Sequence, residues 1–229
     1  MRILVTGGAG GIGQAAVRIL RENGHKVAVA DRVKPKDADC YVCCDLGKPD
    51  NASIIVEEVE LALGRIDALV LGAARYDAST FDTCTLEDFS EVIRVNLESP
   101  LALVKAWVAR RGASRAKTTI VLIASAAAHV GSRDPGYAAS KSGLLGLSRS
   151  LALNLTDRGI RVFSVSPGVV DTPMSLAQGE SRRDRHVSRT LLNRMGQPDE
   201  VGEIIRWLLE SAPDYMSGSD INVSNGIFW

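Results

Sequence analysis

Thr6-Gly7-Gly8-Ala9-Gly10-Gly11-Ile12-Gly13 lies between the apolar run Ile3–Val5 and the segment Gly13–Asn23. In that segment Ala16, Val17 and Leu20 recur at helical spacing before Gly24. A short apolar run followed by that periodicity reads as strand, then helix. The glycines between them allow a sharp turn and let a pyrophosphate approach the main chain. The helix beyond offers unpaired N–H groups and the positive end of its dipole. A glycine-rich turn is a weak signal alone, but between strand and helix at the start of the pattern it points to a dinucleotide.

The alternation continues to the end of the chain. Lys26–Ala30, Cys40–Cys44, Ala68–Leu71, Thr118–Ser125, Arg161–Ser166 and Asp220–Val223 read as further strands. Ser53–Leu63 has a helical stripe, and Thr85-Leu86-Glu87-Asp88 reads as a capping box that opens a helix through Phe89, Val92 and Val95. A second helical stretch runs from Pro100 to Arg110, a long one spans 137–157, and another opens at Pro198-Asp199-Glu200. Strands alternating with helices predict an α/β fold: one Rossmann-like, doubly wound sheet of about seven mostly parallel strands, with helices on both faces. No repeat or composition break divides the chain, so residues 1–229 read as a single domain.

Lysine plus arginine and aspartate plus glutamate both number 27, so there is no cationic excess of the kind a nucleic-acid or membrane-surface binder carries. No apolar run reaches the roughly 18 residues of a membrane span. Met1-Arg2-Ile3-Leu4-Val5-Thr6 enters a strand directly, without a signal-peptide layout. The expectation is a soluble, cytoplasmic protein. Cys40-x-x-Cys43 has the spacing of half a zinc site, but no second CxxC or histidine pair follows, so no metal is expected. Cys40, Cys43, Cys44 and Cys84 read as small buried residues on or beside a strand.

Asp31 ends the second strand, where a carboxylate accepts hydrogen bonds from the hydroxyls of an adenine ribose and repels a 2′-phosphate. Arg32 follows it, and an arginine either attracts that phosphate or stacks on the adenine. The carboxylate favours NAD, with NADP as the alternative. In Tyr137-Ala138-Ala139-Ser140-Lys141 a phenol and an ammonium stand four positions apart. On a helix this places them on one face, about 5–6 Å apart at Cβ. A lysine there draws the phenol's pKa down from its usual value near ~10. An ordinary exposed helix face also accommodates such a pair.

Together these residues resemble the classical short-chain dehydrogenases/reductases over nearly the whole chain. Thr6-Gly7-x-x-x-Gly11-Ile12-Gly13 is similar to that family's cofactor motif, and Asp45-Leu46 to its adenine-facing pair. Asn96, Ser125, Tyr137 and Lys141 match its catalytic tetrad in order. Pro167-Gly168-x-Val170-x-Thr172 resembles its nicotinamide loop, and Gly196–Val201 and Ser217-Gly218 resemble its C-terminal landmarks. There are departures. Leu71-Gly72-Ala73-Ala74 replaces Asn-Asn-Ala-Gly, so only main-chain contacts to the cofactor from Gly72 and Ala73 are expected. The Ser125–Tyr137 spacing is one residue short, the stretch between Asp31 and Asp45 has no room for a crossover helix, and Asn225-Gly226 stands where Asp-Gly-Gly is usual.

The resemblance implies hydride transfer between a nicotinamide and a secondary alcohol or ketone, of the short-chain alcohol dehydrogenase or carbonyl reductase type. Tyr137 would be the general acid–base. Lys141 would lower its pKa and bind the nicotinamide ribose, Ser125 would hold the substrate oxygen, and Asn96 would help hold a relay water. The resemblance further implies a homo-oligomer, a dimer or tetramer, and a substrate lid at 172–195. That lid carries Arg182, Arg183, Arg185, His186, Arg189 and Arg194, which suit either an anionic substrate or plain solvation. His129, Arg75 and Tyr76 are further candidates for the pocket. A catalytically silent nucleotide sensor or scaffold on the same fold is the alternative.

Overall fold

The computed structural model describes residues 1–112, 114 and 116–227, with Arg182 described by its backbone alone. The strands are β1 Arg2–Thr6, β2 Lys26–Asp31, β3 Cys40–Cys43, β4 Ala68–Leu71, β5 Thr118–Ile123, β6 Ile160–Pro167 and β7 Asp220–Val223. The helices are α1 Gly11–Glu22, α2 Ala52–Leu63, α3 Leu86–Ile93, α4 Ser99–Arg111, α5 Ala127–Val130, α6 Pro135–Leu155, α7 Pro173–Leu176, α8 Glu180–Val187 and α9 Pro198–Glu210. The strands form one sheet in the order β3-β2-β1-β4-β5-β6-β7. Every pair is parallel, so the expected mostly parallel sheet is wholly parallel.

Strand alternation distributes the core. Leu4, Leu69, Leu71, Ile120 and Leu122 face one way, onto Ile55, Val56 and Val59 of α2, Leu103 and Trp107 of α4, and Leu144 and Leu151 of α6. Ile3, Val5, Val70, Val121, Phe163 and Val165 face the other way, onto Val17 and Leu20 of α1 and Val201, Ile205 and Leu208 of α9. Burial on both faces is why these strands read as nearly continuous apolar runs.

The winding reverses between β1 and β4, which pair directly, with Thr6 beside Leu71. Such a reversal opens a crevice beyond the carboxyl ends of the strands, where ligands of this fold class bind. Residues 32–39 connect β2 to β3 without a helix. The Asp39 carboxylate holds this short crossover by accepting from Val27 N at 2.9 Å and from Arg21 Nε at 3.2 Å.

Two expected helices prove to be one interrupted helix. The capping box at Thr85 starts α3, and a π-helical turn, Arg94–Glu98, joins it to α4. Pro100 lies just beyond its end: lacking an N–H, it cannot donate to the carbonyl of Asn96, so the regular α-helical ladder is interrupted there.

Candidate active site

A cleft of about 1140 Å³ runs along the carboxyl ends of β1, β2, β4, β5 and β6. The glycine turn forms one wall. Gly7 has φ +73°, and a Cβ on it would lie 2.7 Å from the Ala73 main chain. Gly13 rests on the Gly7 carbonyl, and Gly11 rests on Thr172. Gly10 caps α1 without any side-chain hydrogen bond, which leaves the first-turn N–H groups to a ligand. The Thr6 hydroxyl, buried behind the turn, accepts from Gly72 N at 3.1 Å and Ala73 N at 3.2 Å. It holds the exits of β1 and β4 together. In the sequence the signal for this role is slight: a hydroxyl at the end of the strand that leads into the glycine motif.

Asp31, Arg32, Asp45 and Leu46 line the far end of the cleft. The Asp31 carboxylate accepts from Ala9 N at 3.1 Å and Val33 N at 3.0 Å, which fixes its direction and ties it to the glycine turn. Asp45 accepts from Gly47 N at 2.9 Å, shaping the turn that carries buried Leu46. Cys44 also lines this end, and burial pushes its thiol pKa up to about 11, so it stays protonated and unreactive. Cys40 and Cys44 are partly buried against the core, but Cys43 is exposed. Among the described residues no three His, Cys, Asp or Glu side chains group as metal ligands.

Ser125, Tyr137 and Lys141 meet at the centre of the cleft. Ser125 follows β5, on backbone that stays tied to β6 through Ala124 N to Val165 O at 2.8 Å and Ala126 N to Pro167 O at 2.7 Å. The single turn of α5 takes up the shortened connection to α6. Asp134 caps α6 by accepting from Tyr137 N at 2.9 Å, so the cap sits on the tyrosine itself. The Lys141 ammonium lies 5.6 Å from the Tyr137 ring centroid and donates to Ile123 O at 2.7 Å. Tyr76 packs edge-on against Tyr137, with centroids 4.9 Å apart and planes at 70°.

The electrostatics correct one expectation. Burial pushes the Tyr137 phenol above its ordinary value; the hydrogen bond with Ser125 opposes this, while Tyr76 and Asp134 add to it. The protein around Tyr137 therefore does not by itself draw it toward neutrality. Lys141 is 2% exposed, and burial pulls its ammonium down to about 8.

Asn96 is buried in the π turn, and its side chain is engaged. Its Oδ1 accepts from Arg75 N at 2.7 Å, and its Nδ2 donates to Arg75 O at 3.0 Å and Ser140 Oγ at 3.0 Å. It thus pins the chain after β4 to α6. Its carbonyl receives no α-helical donor from Pro100, which has no N–H. His129 turns toward β7, with Nε2 2.9 Å from Asp220 Oδ2 and 3.3 Å from Ser166 Oγ. Arg75 and Tyr76 do line the cleft.

Pro167, Gly168, Val170 and Thr172 also line the cleft. Val170 bridges to Gly196, which fastens the two ends of segment 172–195 to each other. Within it α7, capped by Thr172, and α8 were not foreseen as helices. Met174, Gln178, Arg185, His186 and Arg189 of this segment face the cleft. The Arg182 side chain lies outside the described residues.

A family model described as enoyl-(acyl carrier protein) reductase matches residues 7–227. The chain is 32% identical over 240 residues to the 3-oxoacyl-(acyl-carrier-protein) reductase of Thermotoga maritima, covering 98% of this chain and 96% of that one. Among solved structures, a blue fluorescent protein from a metagenomic library in complex with NADPH superposes with TM-score 0.89 at 29% identity, covering 99% of this chain and 97% of that one. A 4-hydroxyisoleucine dehydrogenase complexed with NADH gives TM-score 0.88 at 25% identity, covering 99% and 98%. With this fold and this cleft, the chain belongs to the short-chain dehydrogenase/reductase family of oxidoreductases.

Proposed function

We propose that this protein interconverts a secondary alcohol and a ketone using a nicotinamide cofactor, with Tyr137 as the general acid–base. The observation that carries this reading is the meeting of Tyr137, Lys141 and Ser125 in one cleft with the glycine turn and Asp31. Relatives of the chain bind NADH or NADPH, and its own cradle suits such a group: a side chain at Gly7 or Gly13 would collide with main chain.

Gly7, Gly11, Ile12 and Gly13 hold the pyrophosphate, Asp31 the adenine ribose, and Asp45 and Leu46 the adenine. Gly72, Ala73, Pro167, Gly168, Val170 and Thr172 frame the nicotinamide half, and segment 172–195 serves as the substrate lid. When bound, the cofactor supplies the hydride acceptor or donor and, oxidised, a positive charge beside the phenol.

In oxidation the Tyr137 oxygen takes the hydroxyl proton of the substrate; in reduction it returns it. Ser125 holds the substrate oxygen within reach and stabilises the phenolate through its hydrogen bond. Lys141, titrating at about 8, can pass a proton near neutrality and reaches the nicotinamide ribose. The Asn96 carbonyl holds the relay water, and the Asn96 amide keeps the surrounding loops in place. Asp31 favours NAD over NADP, and the assembled enzyme is a homo-oligomer.

Tyr137→Phe tests the reading. NADH affinity should stay within about twofold of wild type while kcat for any alcohol or ketone substrate falls by roughly 10²–10⁴-fold. Undiminished turnover refutes the role. NADH binding with no turnover across an alcohol and carbonyl panel in the wild type would instead favour the silent sensor.

A further inference from the structure

Apart from Arg32 at the adenine end, the arginines that line the cleft fall into two groups. Arg75 is neutralised: its guanidinium pairs with Asp77 at 2.9 Å and also with Glu91. Arg94 pairs with Glu87 at 2.8 Å. Arg194, elsewhere in the lid segment, is bound to Glu200 at 2.8 Å, which holds that carboxyl down to about 2. Arg133, Arg185 and Arg189 also line the cleft, yet among the described residues none of their guanidinium groups makes an ion pair or hydrogen bond.

These three come from two separate elements. Arg133 lies in the connection between Ser125 and Tyr137, and the other two lie on and just after α8. The described acidic residues that line the cleft are Asp31, Asp45 and Glu91. The first two lie at the adenine end and the third is taken by Arg75, so among the described residues no cleft-lining carboxylate pairs with these three cations.

Resting on the reading above, we propose that Arg133, Arg185 and Arg189 form an oxyanion subsite, so that the substrate is a hydroxy or oxo compound bearing a carboxylate or phosphate. Guanidinium groups bind such oxyanions through paired, charge-assisted hydrogen bonds, and the exclusion of water by a closing lid strengthens them. An anion there would also draw α8 toward the Ser125–Tyr137 connection, coupling recognition to closure over Tyr137.

Two measurements test this. First, matched 3-oxo acids and their methyl esters are compared by kcat/KM with NADH at low salt, alongside an oxo phosphate and its neutral alcohol. The charged member of at least one pair should exceed its neutral partner by about tenfold or more, and added NaCl should shrink that preference. The carboxylate and phosphate arms identify which anion is taken. Arg133→Gln and the Arg185→Gln/Arg189→Gln double variant should each cut the preference by roughly tenfold, whereas Arg94→Gln should leave the ratio at its wild-type value.

Second, calorimetric binding of the 3-hydroxy acid and its amide to the enzyme–NADH complex reads the subsite without turnover. Equal binding of acid and amide with no preference for the phosphate over its neutral alcohol either, or a ratio unmoved by the arginine variants, overturns the proposal. So does a rise in the NADH dissociation constant in those variants that matches the loss of kcat/KM, since the arginines would then serve the cofactor. Preference for the acid in binding with no turnover of any compound upholds the subsite and overturns the proposed reaction instead.

Discussion

Lys141 shows how a functional side chain is held at a cost to the fold. Its ammonium is buried with one main-chain acceptor, and its pKa is pulled from 10.5 to about 8. Between those values the unfolded chain binds more protons than the folded one, so this residue makes stability rise with pH and weakens the fold most below pH 8. At about 1.4 kcal/mol per pKa unit the whole swing is about 3 kcal/mol. Urea denaturation of wild type and Lys141→Met across pH 7–11 should show wild type gaining on the variant by that order as pH rises; parallel curves would contradict it. Asp31 carries a second residue-scale expectation. Its carboxylate is aimed by Ala9 and Val33, and the neighbouring Arg32 is exposed. Wild type should bind NADH at least about tenfold tighter than NADPH, and Asp31→Ser should invert that order by removing the repulsion and leaving Arg32 to the phosphate. Tighter NADPH binding by wild type would sink the assignment to NAD.

At the scale of elements, the site depends on loops clamped to one another. Thr6, a residue only 2% exposed, is the clamp between the glycine turn and the exit of β4. Thr6→Val keeps the shape and leaves Gly72 N its bond to the Thr6 carbonyl, but it deprives the Ala73 N–H of its acceptor, so a loss of about 1–3 kcal/mol is expected by denaturation, with weaker NADH binding. An unchanged Kd for NADH would show that the clamp does not shape the cradle. The strands, α1, α2, α6 and α9 were legible to within a residue or two, because apolar periodicity and the flanking glycines and prolines are local signals. The continuity of α3 and α4 was not. Pro100 reads locally as a helix start, and only the packing of α3 and the π turn on α6 and of α4 on α2 shows the helix carried through it. The short helices α7 and α8 escaped notice because α8 is almost wholly polar and buries too little to leave a stripe.

For the whole molecule, the doubly wound topology places every candidate group of the site at one end of the sheet. Apolar surface remains on the α2–α4–α6 side: Leu153 of α6 is 86% exposed and Leu61 of α2 is 79% exposed. Exposed leucines on neighbouring helices suit contact between copies, and light scattering should return a dimer or tetramer at micromolar concentration. Leu153→Glu should shift the mass downward if α6 lies in the contact; a monomeric wild type would refute the assembly. No described helix is long and apolar enough to cross a membrane.

The sequence by itself determined the strand–helix alternation, the glycine turn, Asp31 and the order Asn96, Ser125, Tyr137, Lys141, because these depend on neighbours along the chain. Tertiary structure alone decided what those groups experience. It turned His129 onto Asp220 and spent the Asn96 amide on Arg75. It raised the Tyr137 phenol where spacing to Lys141 predicted a fall, and it separated neutralised arginines from unpaired ones. The physical reason is the same in each case: burial, hydrogen-bond partners and charge pairing are set by residues distant in sequence, and neither spacing nor residue type records them.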